Sequence, residues 1–296
     1  MNKIRKPMRG WLRVVIFIIP FFIFVGISQV LAGLVLGIKL STRHFTPTTL
    51  QSTVLTVFML MGSISIVAIF RRWIDRESFK SLGFGLKNAS KELIAGFVLG
   101  VGLITMGFLI LLGIHEINYV GTNPDASGLF LSLILFIAVG INEELIFRGY
   151  ILGNFMLSMN RWVALAVSSV VFSLMHLGNA NFDLFSFVCI LLAGILLGLP
   201  YIYTKSLWLP IALHFSWNFF QGTIFGFNVS GTKEYNLIQQ SRTSDTLLNG
   251  GKFGFEGSIL AVIFLSLAIV GLWFFYSRKE KKEVVAEIVT EEPITI

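Results

Sequence analysis

The chain has 296 residues, 55% hydrophobic and only 13% charged, and a mean hydropathy of +0.80. Soluble domains carry about 25% charge, so a chain with half that share and 29 Phe has too little polar surface for a water-facing globule and reads as a bilayer protein. The net charge of +7 does not point to nucleic acid, because the basic residues cluster beside apolar runs, and the single cysteine, Cys189, excludes a disulfide framework and reads as a small buried hydrophobe.

A spanning helix needs about 20 mostly apolar residues. In chain order the candidates lie at roughly 12–36, 50–70, 92–114, 128–150, 162–178, 184–203, 207–225 and 258–277, which predicts an all-α polytopic bundle of about eight transmembrane helices. The first follows a basic segment, but its apolar stretch of about 25 residues exceeds the 7–15 of a signal peptide and no small-x-small site ends it. The longest polar stretch, 226–257, is rich in Gly, Ser, Thr and Asn and reads as a surface loop between the last two spans. No linker or second soluble domain interrupts the chain, so 1–296 reads as one membrane domain. Residues 128–225 form its motif-bearing core, and 278–296 a charged cytoplasmic tail expected to be disordered at its end.

Lys and Arg set the orientation. With a cytoplasmic N-terminus, the inside segments hold Lys3, Arg5, Lys6, Arg9, Arg13, Arg71, Arg72, Arg76, Lys80, Lys87 and Lys91. They also hold Arg148, Arg161, Lys205, Arg278, Lys279, Lys281 and Lys282, making 18 of the 23 basic residues. Lys39, Arg43, Lys233, Arg242 and Lys252 remain outside, which predicts an even number of spans with both termini inside. His44 and His115 fall in outside loops.

The fourth span carries Glu143 and Glu144 in an otherwise apolar helix, although a charge at the centre of a membrane helix costs about 2.5–3.5 kcal/mol on insertion scales. Glu144 and Arg148 are four apart and read as an ion pair near the inner interface. Glu143 lies about 100° around the helix, with nothing in its own helix to neutralise it. The fifth span holds His176, which alone would read as a satisfied core histidine. The seventh holds His214 and Asn218, four apart and on one face. Polar groups inside a membrane normally face a bundle interior or cavity, so three spans that carry them point to one shared site.

The chemistry available is water attack on an amide. A carboxylate beside a cavity of low dielectric is a general base, a histidine can share the proton or hold the water, and a second histidine with an amide supplies donors to an oxyanion. Neither a Gly-x-Ser-x-Gly elbow nor a His-Glu-x-x-His pair is present.

Glu143-Glu144-x-x-x-Arg148, Phe172-x-x-x-His176 and His214-x-x-x-Asn218 resemble the three motifs of the CPBP family. That family comprises the type II CAAX prenyl proteases and the bacterial CAAX, bacteriocin-processing or Abi proteins. The resemblance covers roughly residues 128–225 and implies an intramembrane glutamic endopeptidase without cofactor. Glu143 would activate water and His176 assist. His214 and Asn218 would form the oxyanion hole, while Glu144, Arg148 and Phe172 shape the site. The partners implied are a peptide or membrane-protein substrate and the lipid bilayer. The compact chain with short loops reads as a multi-pass protein of a bacterial plasma membrane.

Two other readings stay open. Glu143, His176 and His214 could instead be three zinc ligands with an open fourth position, or the chain could be a non-catalytic partner of the immunity or scaffold type. A transporter lacks the repeat or broken-helix pair that would support it. A difficulty of depth also remains. Glu143 lies about seven residues, roughly 10 Å, from the inner end of its span, and His176 about fourteen, roughly 21 Å. The two meet only if the helices tilt or if segment 151–160 folds back into the membrane.

Overall fold

The structure, a computed structural model, describes residues 8–38 and 46–291. Lys3, Arg5, Lys6, Lys39, Arg43, His44 and residues 292–296 of the tail lie outside it. The apolar runs are helical: α1 (Gly10–Val35), α2 (Thr49–Phe70), α3 (Ala89–Gly113), α4 (Ala126–Phe155), α5 (Arg161–Leu174), α6 (Leu184–Thr204), α7 (Trp208–Asn218) and α8 (Ile259–Glu291). Polar residues cap α2, α4, α5 and α6 where those runs begin. Thr48 and Gln51 exchange backbone and side-chain bonds at the start of α2, and Asp125 and Asp183 accept backbone N–H groups at the starts of α4 and α6.

The result is an all-α polytopic bundle, but the expected eight spans are not of equal rank. Among the described residues, six helices are long and apolar enough to cross a membrane: all except α5 and α7. α5 has 14 residues because its run ends in a turn at His176, and α7 has 11 before it passes into π geometry over Phe219–Ile224. The tail is helical as far as Glu291, since α8 continues through the charged residues beyond Arg278.

α3 and α7 make the closest helix pair. Gly96 and Gly100 stand one turn apart on α3 and let the α7 backbone approach. A Cβ at Gly100 would lie 2.8 Å from the Leu213 carbonyl oxygen and overlap Ser216 Oγ. Membrane helices use small residues in this way, because lipid tails remove the hydrophobic drive between helices.

Segment 226–257 differs from the expected surface loop. Phe227, Phe253 and Phe255 are buried, and Phe255 packs between Trp217 and Phe264. Gly254 makes this possible: its φ of 105° suits only glycine, and a Cβ there would overlap the Asn228 carbonyl. A short antiparallel sheet, absent from the sequence expectation, pairs β1 (Ile117–Thr122) with β2 (Ile238–Arg242), with a register shift between Tyr119 and Gly121. It ties the segment to the α3–α4 connection, and the Tyr235 hydroxyl adds a bond from the Asp125 backbone N–H.

The opposite end of the bundle is closed by packing. Tyr150 lies against Phe17, with ring centroids 4.2 Å apart and the rings tilted by 33°, and meets Phe70 edge-on. Just beyond, buried Asp75 pairs with Arg13 at 3.3 Å and Arg71 at 3.0 Å. The Arg161–Glu280 pair links the start of α5 to α8 at this same end.

Candidate active site

α4 changes character at the two glutamates. It is α-helical as far as Glu144 and π-helical from Leu145 to Leu152. Such insertions loosen the i→i−4 ladder and recur at functional sites. One carbonyl of the π stretch, that of Phe147, accepts the Ser168 hydroxyl of α5 at 3.1 Å, which docks the two helices. Because α4 continues to Phe155, Glu143 lies twelve residues from its end, and not seven from an end at Tyr150. His176 stands just beyond α5, in the turn after Leu174. The expected mismatch in depth therefore disappears: segment 151–155 prolongs the buried helix, and α5 stops level with Glu143.

Three polar groups converge there. Glu143 Oε2 is 3.9 Å from His176 Nε2 and 3.8 Å from His214 Nε2. These gaps exceed a direct hydrogen bond and match the reach of one bridging water. Each imidazole is held from behind. His176 Nδ1 donates to the Phe172 carbonyl at 2.8 Å, which leaves Nε2 as the free lone pair when the ring is neutral. His214 Nδ1 faces Glu144 Oε1 at 2.8 Å. Asn218 is buried one turn after His214 and lines the same cavity.

Behind this layer Glu144 and Arg148 pair at 2.8 Å, with side chains almost wholly removed from solvent. Arg148 also donates to the Gly194 carbonyl, 3.1 Å away on α6, and its guanidinium lies 4.3 Å from the centre of the Phe172 ring. The expected ion pair is thus present, but deep in the bundle and not at the inner interface, because α4 extends past it. All seven residues marked in the sequence fall in one cluster.

Glu143, Phe172, His176, His214 and Asn218 of this cluster line a cavity of about 590 Å³, within the usual size of ligand pockets. Sequence reading missed several of its polar groups. Asn142 is buried there, with no hydrogen-bond partner for Oδ1. Glu234 and Glu256 reach it from segment 226–257, as does Ser230. Burial pushes the Glu256 carboxyl above the ordinary range, and bonds from the Ser230 N–H and hydroxyl, at 2.7 and 2.8 Å, act against that shift. Burial raises Glu234 likewise, opposed by the Ser52 and Thr49 hydroxyls. The signal for Glu256 was its place beside Phe253 and Phe255, which do not suit a solvated loop.

Residues 125–220 match the family model described as Rce1-like, type II CAAX prenyl endopeptidase Rce1-like. No curated protein and no solved structure matches the chain. The matched stretch runs from the cap of α4 to just beyond Asn218 and contains the whole cluster, and its family indicates a protease. Through residues 125–220 the chain is therefore similar to the Rce1-like, type II CAAX prenyl endopeptidases, the family that its three motifs resemble.

Proposed function

We propose that the chain is a glutamic-type intramembrane endopeptidase that hydrolyses a peptide bond of a membrane-associated peptide or protein, in the plasma membrane of a bacterium. The observation that carries this reading is the convergence of the Glu143 carboxylate with two imidazole Nε2 atoms, at 3.8 and 3.9 Å, inside one cavity. A water held among them donates one proton to Glu143 Oε2 and is steadied by the His176 lone pair. Its oxygen attacks the scissile carbonyl carbon while its proton passes to Glu143. His214, as an imidazolium held through Nδ1 by Glu144, donates from Nε2 to the oxyanion together with the Asn218 amide. Glu143 then returns the proton to the leaving nitrogen as the C–N bond breaks.

Substrate is captured by Glu143→Gln in native membranes and identified by mass spectrometry. Cleavage of the captured peptide then falls by roughly 10²–10⁴-fold for Glu143→Ala or His176→Ala and by roughly 10²–10³-fold for Asn218→Ala, each at undiminished protein level. Full cleavage by Glu143→Gln refutes the proposal, and a cellular phenotype that survives Glu143→Gln favours a non-catalytic partner. Among the described residues no group of three His, Cys, Asp or Glu is arranged to hold a metal ion. Activity that survives a chelator agrees with the carboxylate mechanism, whereas loss with restoration by zinc would make Glu143, His176 and His214 ligands.

A further inference from the structure

Among the described residues, the polar rim of the cavity lies at one end of the bundle. α2 lines the cavity with residues from Ser52 to Met59, at the start of the helix, and α6 with Cys189 to Leu197. Thr232, Glu234 and Glu256 of segment 226–257 complete the rim. This is the end that carries the β1–β2 sheet. The other end is sealed by Tyr150, Phe17 and Phe70 and by the Asp75 ion pairs.

The two ends also differ in charge. The sealed end carries the basic residues at the starts of α1, α3 and α5, the ends of α2 and α6, and the last turns of α8. Among the described residues the open end has only Lys233, Arg242 and Lys252, and no Lys or Arg lines the cavity. Lys and Arg are retained on the cytoplasmic side of membrane proteins.

We infer that the catalytic cavity opens to the extracytoplasmic face, so that its substrate is a peptide segment presented on that side of the bilayer and not the tail of a cytoplasmic protein. The inference rests on the protease reading for the word substrate alone; the side on which the cavity opens stands independently of it. Entry past Glu234 and Glu256 takes the peptide directly to Glu143, because the packed end offers no route.

The test uses the full chain in intact cells, in a Cys189→Ser background. Thr232→Cys and Lys233→Cys, both exposed at or beside the rim, are treated with a membrane-impermeant maleimide. So is Lys87→Cys, exposed at the basic end. The expected result is labelling of the two rim cysteines in intact cells, and of Lys87→Cys only after the membrane is permeabilised. Protection of both rim cysteines, or labelling of Lys87→Cys in intact cells, overturns the inference. Labelling needs no turnover, so a failed cleavage assay and a failed orientation are told apart.

Discussion

Glu144, not Glu143, is the carboxylate on which the folded core depends. One of its oxygens serves both Arg148 and His214, each at 2.8 Å. Removing one partner of a buried pair costs roughly 3–5 kcal/mol, because the other charge is left uncompensated. Glu144→Ala should therefore lower the unfolding temperature sharply in detergent and fail to accumulate in membranes. Glu143→Ala, whose Oε2 has no hydrogen-bond partner to lose, should fold normally and lack only cleavage. Equal thermal stability of the two variants would contradict this division. The Glu144–Arg148 pair was legible because helix spacing is local. The bond from Glu144 to His214 spans 70 residues and depends on how α4 meets α7, which no local pattern reports. Phe172 shows the same limit: its spacing from His176 was visible, its place beneath the Arg148 guanidinium was not.

At the scale of elements, the site is set by helices pressed close together. α7 carries His214 and Asn218, and its position depends on Gly96 and Gly100 of α3. Gly100→Leu forces side-chain atoms into Leu213 and Ser216, and overpacking of this kind costs roughly 1–3 kcal/mol. We expect a lower unfolding temperature together with reduced cleavage, since His214 is displaced from Glu143. Wild-type cleavage in a Gly100→Leu protein would show that α7 is positioned otherwise. The existence of the helices was legible from hydropathy alone. Their ends were less so. Arg148 looked like an inner-interface residue, and that placed the end of α4 five residues too early. The helix runs on because Arg148 finds Glu144, Gly194 and Phe172 within the bundle. Segment 226–257 misled for a related reason: its Gly, Ser and Asn content suggested solvent, while Gly254 was serving to bury Phe253 and Phe255.

For the whole molecule, pH acts through the segment that forms the rim. The folded state raises the Glu256 carboxyl, chiefly by burial, with the imidazoles of His176 and His214 and the Ser230 bonds acting the other way. The folded protein thus holds a proton there that the unfolded chain has released. Stability is fullest below the ordinary glutamate range and declines as pH rises through the interval up to the raised value. Glu256→Gln should flatten that decline in unfolding temperature measured against pH; an unchanged slope would place its origin elsewhere. The overall architecture was readable from composition and basic-residue placement, since both follow from transfer to lipid. The one-ended cavity was not, because it arises from the fit of seven helices and a returning segment. It has an electrical consequence. Water that fills the cavity as far as Glu143 carries the potential of its own side inward, so the membrane voltage falls almost wholly across the dry layer of Tyr150, Phe17 and Phe70. Moving a unit charge through the full voltage takes about 2.3 kcal/mol per 100 mV. A proton passed between water, Glu143 and the leaving nitrogen crosses little of that drop, so hydrolysis proceeds at nearly the same rate in an energised membrane and a depolarised one.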